Sequence, residues 1–371
     1  MKAIIIVGAS IRLCPYAIPY INELLAKGCN VTTMVWIRDG QPDVKVDDRV
    51  QVLQFERELD DAEPLKRKLW AFLAFRRFLM KELRKEYDFV VVLDTQFAVL
   101  VCDKLLTKYN HRFIYDMRDM SYEHIGIYRK CVKKIINAAC AVFISSDGYR
   151  KYLPENPKIH TTHNLHSQDL AYSGIREFES RYHTPLRVSF WGVVRDIEIN
   201  KNVIQALGND NRFELHYYGV LSKAARELKV YTKEQGYDNV FFHGRYDQIQ
   251  RYEFARNTDI IHNMYSNSPK TSNPSMGNKY YDGIVFRIPQ VCTTGGYMGE
   301  RVLQKKVGIV LPADNRLADS LYTYYNSINW EEFEEVCKSE VQAVINEKDK
   351  AFNVLKEALT QIDQCRLGRI E

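Results

Sequence analysis

The stretch Leu186-Arg187-Val188-Ser189-Phe190-Trp191-Gly192-Val193-Val194-Arg195, continued by Asp196 to Asn202, decides the fold. A short apolar run, Leu186 to Phe190, ends in a glycine-containing turn and gives way to a helical pattern near Lys201-Asn202. Strand, turn and helix in that order form the unit from which buried parallel sheets are wound. The unit recurs downstream, with apolar runs at 214–218, 240–243, 260–262, 289–292 and 308–311. It recurs upstream as well, at 3–7, 31–36, 50–55, 89–93, 113–115, 141–144 and 159–162. Such runs, rich in β-branched residues and separated by amphipathic segments, are strands covered on both faces.

Between His166 and Pro185 the periodicity fades into a polar stretch, so two α/β domains are expected. The N-terminal one covers 1–175, the C-terminal one covers 185–345, and 346–371 is a C-terminal helix packing back across both. A chain of 371 residues exceeds what one core supports. The expected architecture is two Rossmann-like, doubly wound domains facing a central cleft.

A formal charge of +5 is too small and too dispersed for a nucleic-acid binder, though it suits phosphate-bearing ligands. Eight scattered cysteines without a C-x-x-C pair read as free thiols in a reducing cytoplasm. The apolar start is too short for a signal-peptide core, and no run is long enough to span a membrane. The expected location is the cytoplasm, with any membrane contact peripheral.

In open α/β sheets ligands sit outside the carboxyl ends of the strands, so chemistry is sought there. Gly192 and Arg195 follow one strand, with Lys201 close behind. Fixed cations can stabilise a departing diphosphate without a metal; solvated cations at a helix start are the alternative. Thr293-Thr294-Gly295-Gly296-Tyr297-Met298-Gly299-Glu300 precedes a helical pattern, and its adjacent glycines either let backbone N–H groups approach phosphate or serve only the steric needs of the turn. Asn278-Lys279-Tyr280-Tyr281-Asp282 opens another helix, where Asp282 is either a ribose ligand or a capping carboxylate. Tyr115-Asp116-Met117-Arg118-Asp119 is read as a loop after a strand. There Asp116 or Asp119 is a candidate general base beside Arg118, or else an internal ion pair shapes the turn. Pro269 to Met276 is a candidate sugar-pocket loop.

His160, His163 and His166 have a spacing that does not bring them to one face of a strand, so no metal site is expected. No Asp-x-Asp, Walker or dinucleotide glycine pattern occurs. Residues 65–87 combine Lys and Arg with Trp and Phe. Two readings stand for them: an amphipathic helix on an anionic membrane, or a Leu69, Phe72, Leu79, Leu83 stripe packed on the sheet with solvated cations.

In their order, Ser189 to Asn202, Tyr217-Tyr218-Gly219, Asn239 to Tyr246 with Arg245, Thr258-Asp259-Ile260, Asn278 to Asp282 and Gly295-Gly296 resemble the family 4-like glycosyltransferases that build bacterial capsular and surface polysaccharides. The resemblance covers most of 186–312. The first half matches more loosely, through Asp116 to Asp119, Ser145 and His163-Asn164. It implies the GT-B fold and metal-independent transfer from a nucleotide diphosphate sugar to a saccharide or polyprenyl-linked acceptor, with no cofactor. Arg195 and Lys201 would bind the diphosphate and Asp282 the ribose, with Gly192, Arg245, Asn278, Lys279, Gly295, Gly296 and Glu300 around the donor. The family's second acidic residue falls at Pro274 here. A nucleotide-sugar epimerase and a non-catalytic sugar-nucleotide-binding scaffold are the competing readings.

Overall fold

The computed structural model describes residues 1–59, 63–172, 174, 181–266 and 273–367. The chain divides into two compact units, one of residues 1–163 with 347–371 and one of residues 164–346.

Unit one contains β1 (Lys2–Val7), α1 (Ile18–Ala26), β2 (Asn30–Ile37), β3 (Val50–Glu56), α2 (Leu65–Glu82) and β4 (Phe89–Leu93). It continues with α3 (Thr95–Leu100), α4 (Cys102–Leu106), β5 (Phe113–Met117), α5 (Gly126–Ala138), β6 (Ala141–Ile144) and β7 (Ile159–Thr161). The seven strands are parallel in the order β3-β2-β1-β4-β5-β6-β7. The period of two divides β1 between two cores: Ile4 and Ile6 join Trp36 and Phe75 on one face, while Ala3, Ile5 and Val7 join Tyr20 and Phe143 on the other. Burial on both faces is why the inner strands β1, β4, β5 and β6 are almost wholly apolar, whereas the edge strand β3 carries Gln51, Gln54 and Glu56.

Unit two contains β8 (Leu186–Trp191), α6 (Ile197–Leu207), β9 (Phe213–Tyr218), α7 (Lys223–Glu234), β10 (Val240–Gly244), α8 (Arg251–Arg256) and β11 (Ile260–Asn263). It continues with α9 (Asn278–Phe286), β12 (Gln290–Cys292), α10 (Tyr297–Gln304), β13 (Gly308–Val310), α11 (Leu317–Asn326) and the start of α12 (Trp330–Leu367). Six parallel strands run β10-β9-β8-β11-β12-β13. Trp330, Phe333, Cys337 and Val344 of α12 enter the core of unit two. Its later residues Ala351, Phe352, Leu355 and Leu359 enter that of unit one.

Two expectations change. The strand expected at 113–115 runs on through Met117, so Asp116 lies on β5 and is fully buried rather than displayed on a loop. On α2, Leu69 is 58% exposed together with Leu65, Trp70 and Leu73, while Ala71, Phe75, Leu79 and Leu83 face inward. Phe75 wins the inward position because Trp36 and Phe55 of the sheet stack around it, with ring centroids 4.9 and 5.4 Å away.

Candidate functional site

In each sheet the strand order reverses beside its first strand, at β1/β4 and at β8/β11. Doubly wound proteins bind ligands at such switch points, outside the carboxyl ends of the strands. The sequence candidates divide between these two places.

In unit two, a small, open pocket lies beyond β11 and β12, lined by Asn263, Tyr265, Asn273, Ser275, Cys292, Thr293, Gly296, Met298 and Gly299. Thr293 fastens its rim by donating to the Tyr265 carbonyl at 2.6 Å. The helices around it differ in how they begin. On α6 and α7, Asp196 and Ser222 cap the first turn through their side chains. On α9 and α10, Gly277 and Gly296 stand at that position and offer no side chain. Backbone carbonyls take part of their place, the Tyr280 N–H donating to Gly277 and the Tyr297 N–H to Asn273, each at 3.0 Å, while the positive dipole ends of α9 and α10 favour an anion. Gly295 turns the chain into α10 with φ of 83°, a conformation that suits glycine.

Lys279 belongs to the first turn of α9 and is only 7% exposed. Its ammonium lies over the Phe190 ring, donates to the Tyr265 hydroxyl and makes no ion pair among the described residues. Arg195, beyond β8, is exposed and likewise has no ion pair among the described residues. Its loop is tied to the exit of β11 by the Ser266 N–H, which donates to Asp196 Oδ2 at 2.7 Å. Gly192 lies in the same loop, donating its N–H to the Tyr218 carbonyl at 2.8 Å.

Other candidates stand elsewhere. Lys201 turns toward α7, 3.7 Å from Glu227 and over Tyr231. Asp282 is buried and takes a hydrogen bond from Arg251, which also donates to both oxygens of Asp169 at 3.0 and 2.8 Å. Burial pushes the Asp282 carboxyl up to about 6 against the pull of Arg251. Asn278 is exposed and accepts from Asn164 at 3.0 Å. Arg245 is exposed just beyond β10, and Glu300 is exposed on α10. Of the loop expected at Pro269 to Met276, residues 269–272 lie outside the described residues.

In unit one, Asp116 accepts from Tyr20 at 2.6 Å and from Arg118 Nε at 2.9 Å. Both are buried and the pair is internal. Asp119 is exposed two residues beyond β5. Asp94, which the sequence reading passed over, lies beside them directly after β4, and its N–H donates to the Asp116 carbonyl at 2.8 Å. Its position immediately after an apolar run was the available signal. His163 is bonded to Glu347 at 2.7 Å, and no group of three His, Cys, Asp or Glu residues among the described residues is arranged to hold a metal ion.

No family model matches the sequence, and a search of curated proteins found no match. Solved structures do match. Sucrose-phosphate synthase of Thermosynechococcus elongatus superposes with a TM-score of 0.69 at 12% identity, over 100% of this chain and 99% of that one. HepE of Anabaena, solved with UDP, gives 0.67 at 13% identity, over 96% and 100%. A glycosyltransferase of Rickettsia africae gives 0.65 at 14% identity, over 96% and 98%. With two parallel-sheet, Rossmann-like domains of seven and six strands, the chain has the GT-B fold.

Proposed function

We propose that the protein is a glycosyltransferase that moves a sugar from a nucleotide diphosphate sugar to a saccharide or lipid-linked saccharide acceptor in surface polysaccharide synthesis. The observation that carries this reading is the buried Lys279 ammonium, which has no carboxylate partner among the described residues and sits on a helix start without a side-chain cap. A diphosphate supplies the missing negative charge. Structures of the same fold were solved with UDP and with UDP-glucose, which favours a uridine nucleotide as the first donor to try.

In this reading Lys279 and Arg195 hold the diphosphate and stabilise it as it leaves, so charge neutralisation comes from side chains rather than a required metal. The acceptor binds to unit one. The protein works in the cytoplasm at the inner face of the membrane, where Leu65, Leu69, Trp70 and Leu73 provide exposed apolar contacts among Lys66, Arg67 and Lys68. No helix among the described residues is long and apolar enough to cross a membrane.

The test is a thermal-shift panel of nucleotides and nucleotide sugars, followed by product analysis with saccharide acceptors. A ligand at a hundred times its Kd adds about 2.7 kcal/mol of stability. Selective stabilisation by one nucleoside diphosphate, with sugar appearing on the acceptor, supports transfer. An isomerised donor without acceptor would replace it with an epimerase, and binding without turnover with a scaffold.

A further inference from the structure

We propose that Cys102 and Cys131 form a reversible oxidation site, a thiol pair that closes into a disulfide between α4 and α5 of unit one when it meets a small disulfide such as glutathione disulfide. Cys102 opens α4, Cys131 lies midway along α5, and the two helices pack on each other. The two thiols hydrogen-bond to each other. Both side chains sit at the margin of one core and are partly open to solvent. A disulfide requires two sulfurs in contact, and its formation requires that a reagent reach one of them.

The remaining cysteines are placed differently. Cys14, Cys29, Cys292 and Cys337 are buried. Cys140 donates its S–H to the His111 carbonyl at 2.8 Å. Cys365 is exposed on α12 and provides the reference for an accessible thiol.

The pair is asymmetric. Arg76 of α2 is held beside Cys102, donating to the Leu100 carbonyl at 2.7 Å and to Asp103 Oδ1 at 3.2 Å. The hydrogen bond from Cys131, working against burial and the Asp103 charge, pulls the Cys102 thiol down to about 6, and Arg76 adds to the pull. The same bond, and then burial, drives the Cys131 thiol up, with Lys134 opposing. Because the thiolate is the nucleophile, Cys102 attacks first and Cys131, which keeps its proton, resolves.

The Cys102 thiolate bonds to one sulfur of glutathione disulfide, whose S–S bond breaks and whose other half leaves as a thiolate with the electron pair. The Cys131 sulfur then bonds to Cys102 Sγ and displaces the second glutathione, which takes the Cys131 proton. Two electrons pass from the protein thiols to the glutathione disulfide. A thiol reductant reverses both steps and unties α4 from α5.

The experiment equilibrates the reduced full chain in anaerobic buffers of stepped glutathione to glutathione disulfide ratio at pH 7, alkylates the free thiols and maps peptides by mass spectrometry. Wild type is expected to give a Cys102–Cys131 cross-linked peptide that dithiothreitol reverses, while Cys365 takes up glutathione. Cys131→Ala should stop at the glutathione adduct of Cys102, and Cys102→Ser should leave Cys131 reduced. In the reduced wild type, iodoacetamide should alkylate Cys102 about tenfold faster than Cys365, and Cys131→Ala should erase most of that advantage. A wild type in which Cys365 carries glutathione while Cys102 and Cys131 are both recovered as free thiols overturns the proposal. So does one in which the Cys102 adduct persists unresolved. Both results are read on the wild type and hold whether or not the variants fold.

Discussion

The Lys279 ammonium lies 4.0 Å from the centroid of the Phe190 ring and 4.9 Å from that of Tyr265. Ring faces and one hydroxyl partly compensate a buried cation, and a carboxylate would do so better. Lys279→Met should therefore fold at least as well as wild type, because it replaces an underpaired charge with an apolar chain of similar length. It should weaken nucleoside diphosphate binding by about tenfold or more, since a hydrogen bond to a charged group is worth about 1.5–3 kcal/mol. Calorimetric titration with the diphosphate and a melt without ligand separate the two effects. A variant that melts lower and binds normally would assign Lys279 to the core.

Gly219 and Gly192 bring the exits of β9 and β8 into contact. A Cβ on Gly219 would lie 1.9 Å from the Gly192 carbonyl oxygen, and both glycines have positive φ. The Gly192 backbone carries the Arg195 loop, so Gly219→Ala must displace that loop or fail to fold. The expected outcome is a loss of about 1–3 kcal/mol, typical of overpacking, with weaker nucleotide binding. Gly236→Ala is the control: its φ of 70° is also positive, but nothing lies within 4 Å of its added Cβ. Equal nucleotide affinity in both variants would dissociate the Gly192 loop from the donor.

The strands were legible because burial on both faces leaves little room for polar residues, so apolar runs mark them directly. The reading of β5 ended at Tyr115 because the next residue is an aspartate. That acid is tolerated on a buried strand only because Arg118 and Tyr20 reach it, one from two and the other from 96 residues away. On α2, apolar residues occur all round the helix, so period alone could not choose between Leu69 and Phe75; Trp36 and Phe55 made the choice. The glycine-rich turn before α10 was legible from composition. The partners of Asp282 were not, because Arg251 is 31 residues away from it and Asp169 is 82 from Arg251. Asp94 has an ordinary sequence context, and its unusual φ leaves no mark in the sequence.

Arg251 bridges Asp169 and Asp282 in the interior of unit two. Removing it as Arg251→Met leaves two buried carboxylates without their cation, which should cost about 3–5 kcal/mol at pH 7.5 by chemical denaturation. The Asp282 carboxyl already sits at about 6, above its ordinary value of 3.8. A raised folded-state pKa gives stability that is full below about pH 4 and lost as pH rises through 6. Without Arg251 that pKa moves higher still, so the variant's deficit should shrink at pH 5 and shrink again in Arg251→Met/Asp282→Asn. A deficit independent of pH would mean that packing of the arginine stem, not its charge, holds this site together.

His262 gives the opposite sign. Its ring is fully buried against Phe190 and Tyr217. Nδ1 accepts the Met264 N–H at 3.1 Å, so the neutral ring carries its proton on Nε2 and donates to Asn200 Oδ1, also at 3.1 Å. A second proton on Nδ1 would face that N–H, and burial together with Lys279 pushes the imidazolium pKa down to about 3. A depressed folded-state value means stability that is full above the unfolded pKa of about 6.5 and is lost as pH falls toward 3. Imidazole NMR between pH 8 and 4 should show His262 holding one tautomer while the solvent-exposed His243 titrates. In His262→Gln the acid limb of melting temperature against pH should be shallower than in wild type. A His262 midpoint above pH 5 would mean that water reaches this ring, and that the His262–Asn200 bond does not fix the first turn of α6 to β11.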